Sequence, residues 1–210
     1  MRIRCLYELK GKAVVTITLT IISFIMSFTV CYMIPESFEK ICLKTRPEYV
    51  WQYFSGILIH NIEPKFAMWI HMIMNFMGLI PLGIIVEKVI GSRNTLLLAL
   101  VEAFVTAICF QVITWNNPGK ACGISTICYA FATVGFYCIF LVIRKRETAW
   151  HKQFLFYYFL YEFVGMLSML VNPMLTMNSF ILHVSGIVIG VIWIVIMKKK
   201  IHMKIIGNKV

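Results

Sequence analysis

The sequence predicts an all-α polytopic membrane protein with six transmembrane helices, and three observations carry that reading. Hydrophobic residues fill 60% of the 210 positions against 14% charged, and a mean hydropathy of +0.82 is far from that of a water-soluble domain. Apolar stretches of about 20 residues, the length that crosses a bilayer core, follow one another along nearly the whole chain. The basic residues behind the net charge of +11 fall in short runs between those stretches. That is a topology signal, not the basic, aromatic-interleaved face that nucleic acid requires, so no nucleic-acid partner is expected.

In chain order the spans are predicted at 13–34, 66–86, 95–115, 122–143, 153–172 and 178–197. The first has no small-residue cleavage pattern behind it and reads as a retained span rather than a signal peptide. Between it and the second lies the one sizeable extramembrane piece, Pro35 to Lys65, of mixed polar and aromatic content. The connections after the second and fourth spans carry Lys88 and Arg93, then Arg144, Lys145, Arg146 and Lys152. The two ends add Arg2, Arg4, Lys10, Lys12 and the Lys198-Lys199-Lys200 run. On the other side, Lys40, Lys44, Arg46, Lys65 and Lys120 are offset by Glu36, Glu39, Glu48 and Glu63. The positive-inside rule then places both termini in the cytoplasm, in agreement with an even number of crossings. Residues 1–210 read as a single domain without repeats, and the simplest expected location is a cytoplasmic membrane of bacterial type.

Two absences narrow the chemistry. All nine acidic residues are Glu, which excludes a Ser/His/Asp triad and Asp-built metal sites. The seven cysteines contain no CxxC and mostly sit in apolar runs, where a thiol acts as a small hydrophobe, so neither a disulfide framework nor a zinc site is expected.

Polar side chains within spans are costly and are functional candidates by default. They are His71 and Asn75 in the second span, Glu102 in the third, Ser125 just after Gly123 in the fourth, Glu162 in the fifth and His183 in the sixth; the first has only hydroxyls and a thiol. The even-numbered spans begin at the outer face. A rise of about 1.5 Å per residue puts Ser125 roughly 5 Å, His71 and His183 roughly 8 Å and Asn75 roughly 14 Å below their span starts, in one outer layer. His183, Gly186 and Gly190 share a stripe where another backbone can approach. Ser125, Tyr129 and Ala132 share the face of the fourth helix expected to receive it, and His71, Asn75 and Gly78 repeat the spacing on the second. Each stripe alone is also compatible with plain packing.

A serine hydroxyl becomes nucleophilic when a neighbouring base takes its proton, and histidine titrates in the useful range. Ser125 and His183 supply such a pair. With no Asp to orient the imidazole, Tyr129, one turn beyond Ser125, is placed to stack on it, giving a dyad. The oxyanion of acyl transfer would meet the free N–H groups of a helix N-terminus at Ser125, with His71 and Asn75 as side-chain donors.

These residues resemble the rhomboid family of intramembrane serine proteases over almost the entire chain. His71-Met72-Ile73-Met74-Asn75 resembles its HxxxN pattern, Gly123-Ile124-Ser125-Thr126 its GxSG, and His183-Val184-Ser185-Gly186 with Gly190 its HxxGxxxG. Glu48 to Phe54 with Trp51 resembles the Trp-Arg loop segment, Val86-Glu87-Lys88 with Gly91-Ser92 the turn after helix two, and Asn117-Pro118 the loop entering the serine helix. The resemblance implies a minimal six-helix rhomboid bundle that needs no cofactor and no metal. It also implies cleavage of single-pass transmembrane proteins near their outer end, after small residues. Ser125 would be the nucleophile, His183 the base, His71, Asn75 and the Ser125 amide the oxyanion hole, and Tyr129 the support for His183. Gly186 would permit close packing on the fourth helix near Ala130, and the loop before the serine helix would dip into a water-filled cavity.

Three departures from the family pattern have expected consequences. Thr126 replaces Gly, crowding the oxyanion site or narrowing the substrate pocket, or else capping the helix through its hydroxyl. Gln52 replaces Arg, which bears on loop stability. The stretch from His60 to His71 is longer than usual, and His60 reads as a surface loop histidine without a role. Two other classes remain in view: a rhomboid-like binder of membrane segments that does not cut them, and a small proton-coupled transporter using Glu102 and Glu162 as a relay.

Overall fold

The computed structural model describes residues 11–60, 65–145, 160 and 177–206. In chain order it contains α1 (Val14–Phe28, prolonged to Met33 by a π turn), the short helix α2 (Phe38–Ile41), strand β1 (Leu43–Lys44), the short helix α3 (Gln52–Ser55), α4 (Lys65–Ile90), α5 (Ser92–Ile113), strand β2 (Lys120–Ala121), α6 (Ser125–Lys145) and α7 (Met177–Ile206). Among the described residues, α1 with its π turn, α4, α5, α6 and α7 are long and apolar enough to cross a membrane. The protein is thus a mostly helical, polytopic integral membrane protein. The predicted span at 153–172 lies outside the described residues apart from Leu160.

Bilayer hydrocarbon offers no hydrogen-bond partner, so each apolar run closes its backbone bonds within itself as a helix. Burial then ranks the helices. In the apolar window of α6, 72% of residues are buried, against 28–39% in the other four, so the helix that begins at Ser125 is the central one. It packs on α7, α4 and α5. Ile127, Phe131, Val134, Cys138 and Val142 lie in the largest core cluster with Leu79 and Val86 of α4 and Trp193 of α7. The outward faces keep exposed apolar rows, such as Leu96, Leu97, Leu100 and Phe104 on α5, as a lipid-facing surface requires.

Four boundaries differ from the sequence expectation by three residues or more, the start of α5 at Ser92 rather than 95 among them. α4 runs to Ile90 because Val86, Val89 and Ile90 remain in the core. α7 continues through the Lys198-Lys199-Lys200 run to Ile206: Trp193, Ile201 and Ile205 keep one face buried while the lysines stand on the exposed side. α6 begins at Ser125 itself, three residues later than predicted.

Two polar knots fix the bundle. Glu87 lies near the far end of α4, about 24 Å along the axis from His71. Its carboxylate accepts from the Val15 and Thr16 amides at 2.9 and 2.8 Å, from Thr16 Oγ1 at 2.9 Å and from Ser92 Oγ at 2.6 Å. One carboxylate thereby satisfies donors at the starts of both α1 and α5, where helix dipoles favour negative charge.

The second knot is the loop between α1 and α4. β1 pairs antiparallel with β2, Leu43 opposite Ala121 and Lys44 opposite Lys120. Gly56 passes so close to β1 that a Cβ there would lie 2.5 Å from the Leu43 nitrogen, and its carbonyl accepts from Gly123 N–H at 3.2 Å. Glu39 pairs with both Lys44 and Lys120, and the Lys120 ammonium holds its carboxyl below the usual range. Gln52 is fully buried: its Oε1 accepts from the Glu48 and Tyr49 amides at 2.8 and 3.2 Å, and its Nε2 donates to the Glu39 carbonyl at 3.1 Å. The neutral amide thus ties the loop together where the family pattern has a cation. These links clamp the loop to the segment leading into Ser125.

Candidate active site

Ser125 is the first residue of α6, so its N–H belongs to the helix-start donors that have no intrahelical acceptor. Its Oγ lies 2.9 Å from Nε2 of His183 on α7, and both residues are under a tenth exposed. The Tyr129 ring stacks on the imidazole with centroids 4.5 Å apart and planes 29° from parallel. His183 Nδ1 is buried without a hydrogen-bond partner among the described residues, so stacking rather than a carboxylate holds the ring.

The glycine stripe of α7 explains why the two helices can come this close. A Cβ on Gly186 would sit 2.5 Å from the Thr126 carbonyl oxygen and 3.1 Å from Tyr129 Cβ; one on Gly190 would sit 2.6 Å from Thr133 Cβ and 2.9 Å from the Ala130 carbonyl oxygen. The receiving face is therefore Thr126, Tyr129, Ala130 and Thr133. Ala130 meets Gly190 rather than Gly186, and Ala132 turns to a cluster with Leu82 and Ile139; the expected register was one turn off.

On the opposite side, Gly123 has φ +121°, a backbone state that side chains disfavour, and a Cβ there would lie 3.4 Å from His71 Cε1. His71 therefore packs against the segment two residues before Ser125. Asn75 is fully buried and its Nδ2 lies 2.9 Å from Nε2 of His60, while its Oδ1 has no partner among the described residues.

His60 is the residue that the sequence misplaced. It is fully buried, set edge-on to His71 at 5.1 Å between ring centroids. Its N–H donates to Ser27 Oγ at 2.8 Å, and its Nδ1 lies 3.2 Å from the same oxygen. Burial, with His71 as a lesser cause, lowers its pKa from 6.5 to about 3, so it is neutral near pH 7. The available signal was in the first span, where Thr16, Ser23 and Ser27 line one buried face.

His71 and His183 each lie six residues past the first described residue of their helices, about 9 Å along the axis, and they flank the very start of α6. The serine helix therefore begins below the first described turns of α4 and α7. Above it opens a cavity of about 450 Å³, lined by Ser125, His183 and Thr126 together with Thr106, Phe110 and Leu182. Thr126 does not cap α6, since its Oγ1 has no hydrogen-bond partner among the described residues. Glu162 lies outside the described residues; Glu102 is fully buried and accepts from Thr106 Oγ1 at 2.6 Å.

Fold and site define a polytopic membrane protein whose polar groups converge inside its helices around a cavity. The chain belongs to the rhomboid family: a model of the Rhomboid domain matches residues 47–200. Members of that family are in general intramembrane proteases. No curated protein matches the chain.

Proposed function

We propose that this rhomboid is an intramembrane serine endopeptidase that cuts single-pass transmembrane proteins near their outer membrane boundary, with both termini in the cytoplasm. The 2.9 Å contact between Ser125 Oγ and His183 Nε2 carries the reading. Ser125 Oγ attacks the scissile carbonyl carbon as His183 Nε2 takes its proton; the imidazolium then protonates the leaving amine, and water releases the acyl group by the same path in reverse. Tyr129 keeps the ring in line.

The oxyanion is served by the Ser125 N–H, by His71 and by Asn75. His60 supports that assignment through its tautomer. If Ser27 donates its hydroxyl hydrogen to His60 Nδ1, Nε2 carries the ring proton and requires an acceptor. Asn75 then meets it with its oxygen, since the two ends of the amide are interchangeable in shape. That arrangement gives Ser27, His60 and the Asn75 oxygen a partner each and frees the Asn75 NH₂ to donate. The reverse arrangement leaves both the Ser27 hydrogen and Asn75 Oδ1 unpaired.

The test is reaction of purified protein with a fluorophosphonate probe and with a model single-pass substrate, comparing wild type, Ser125→Ala and His183→Ala. Labelling and cleavage present in wild type and lost in both variants support the protease. A wild type that does not label is instead a binder, and cleavage that survives Ser125→Ala refutes the dyad.

A further inference from the structure

At the end of the bundle opposite Ser125, a second cavity of about 450 Å³ opens between the segment before α1, the end of α4, the start of α5 and the extension of α7. Four lysines from three of these pieces line it: Lys12, Lys88, Lys200 and Lys204. The segment before α1 lies directly on the end of α4, where a Cβ on Gly11 would be 3.3 Å from Lys88 Cα. Lys200 Nζ comes within 3.7 Å of where a Cβ on Gly91 would be. Glu87 is the one carboxylate among the described residues that lines the cavity, and its oxygens already accept from the Val15 and Thr16 amides and the Thr16 and Ser92 hydroxyls. Among the described residues, none of the four lysines has a carboxylate within ion-pair distance.

Like charges drawn to one cavity repel each other, and Lys200 and Lys204 do so one turn apart on a single helix face. A topology signal needs basic residues on one side of the membrane, and loops scattered over that side satisfy it; it does not require them to share a hollow. An anion in the hollow relieves the repulsion. The source of that anion is read from α7. Counting back by fours from Lys204 and Lys200 gives Ile196 and Ile192, 58% and 47% exposed, so one row of the helix passes from exposed hydrocarbon to ammonium groups. A free phosphate uses only the second half of that row. A phospholipid uses both, with its phosphate among the lysines and an acyl chain along the isoleucines. Its headgroup must carry net negative charge, because one with its own ammonium adds a further cation to the cluster.

We infer that this cavity is a binding site for an acidic phospholipid, whose phosphate bridges Lys12, Lys88, Lys200 and Lys204. Basic pockets between helix ends at a membrane surface recognise such headgroups. The site is separate from Ser125 and does not rest on the protease reading.

The experiment is native mass spectrometry of the full chain in a neutral detergent, titrated with dioleoyl phosphatidylglycerol or dioleoyl phosphatidylcholine at an ionic strength of about 0.15 M. Wild type is expected to retain one phosphatidylglycerol with an affinity on the order of tenfold above that for phosphatidylcholine. Lys200→Gln with Lys204→Gln is expected to weaken that affinity roughly thirtyfold, about fivefold for each lysine. Lys198→Gln with Lys199→Gln removes the same charge from exposed positions of α7 that do not line the cavity, and is expected to change it by less than about fivefold. Equal affinity of wild type for the two lipids overturns the proposal. So does a Lys200→Gln, Lys204→Gln protein that loses no more than the Lys198→Gln, Lys199→Gln protein, which would reduce the effect to general attraction by a basic helix end. Glycerol 3-phosphate, the head chemistry without chains, is expected to leave the bound lipid in place at equal concentration; displacement overturns the lipid as ligand in favour of a soluble anion. The comparison of the two lipids in wild type stands even if a double variant does not fold.

Discussion

Gly186→Ala tests whether the approach of α7 to α6 sets the geometry of the Ser125–His183 pair. The added Cβ would lie 2.5 Å from the Thr126 carbonyl oxygen and 3.1 Å from Tyr129 Cβ. A carbon against a carbonyl oxygen needs about 3.3 Å or more, and the obstacle is helix backbone rather than a flexible side chain, so α7 must retreat by about 0.8 Å. His183 lies on the same stripe one turn earlier. A shift of that size takes its Nε2 from 2.9 Å to about 3.7 Å from Ser125 Oγ, outside hydrogen-bond range. Misplacement of this order costs roughly a hundredfold in rate, and overpacking costs about 1–3 kcal/mol in stability. Fluorophosphonate labelling rate and substrate kcat/KM read the first, and a thermal melt in detergent reads the second. Labelling at the wild-type rate in Gly186→Ala, whatever the melting temperature, would refute the link between this glycine and the pair.

Three further outcomes are expected. Glu87→Gln leaves one acceptor oxygen for four donors and turns an NH₂ toward N–H groups, so a loss of about 2–4 kcal/mol should appear as a lower melting temperature; an unchanged melt would show that α1 and α5 do not depend on this carboxylate. For His60, the unfolded pKa is the ordinary 6.5 and the folded one about 3, so below pH 6.5 the unfolded chain binds the extra proton and stability falls with pH. The loss between pH 7 and pH 5 is about 2 kcal/mol, read as the wild-type change minus that of His60→Gln, and equal changes in the two proteins would contradict the burial. Gln52→Ala removes three hydrogen bonds from the loop between α1 and α4, and limited proteolysis should then nick that segment faster than in wild type.

Five of the spans were legible because a bilayer leaves the backbone no alternative to the helix, so length and hydropathy suffice; the predicted span at 153–172 lies outside the described residues. The positions of Ser125, His71, Asn75 and His183 were legible because polar groups are rare in such runs. What escaped was everything that depends on how one helix sits against another. His60 stands beside Asn61, Glu63 and Pro64, which read as a surface turn, and only contacts with Ser27, His71 and Asn75 from two other elements reveal its burial. The Gly186 stripe was found, but its partner face was displaced by a turn because spacing along one helix says nothing about sliding along another. The continuation of α7 was hidden by three lysines whose exposed side masked the apolar face behind them.

On the protease reading proposed above, the low start of the serine helix makes the site a pit, and a pit imposes a condition on what can be cut. A transmembrane helix hides each carbonyl behind its own side chains and a bond to the amide four residues on. It cannot lower one peptide group into such a hole without first coming undone. Only a guest whose coil gives way at that level, through a glycine, a proline or a nearby end, can reach the bottom. Sturdy spans would pass by unharmed, so selectivity would be set partly by how readily the visitor unravels.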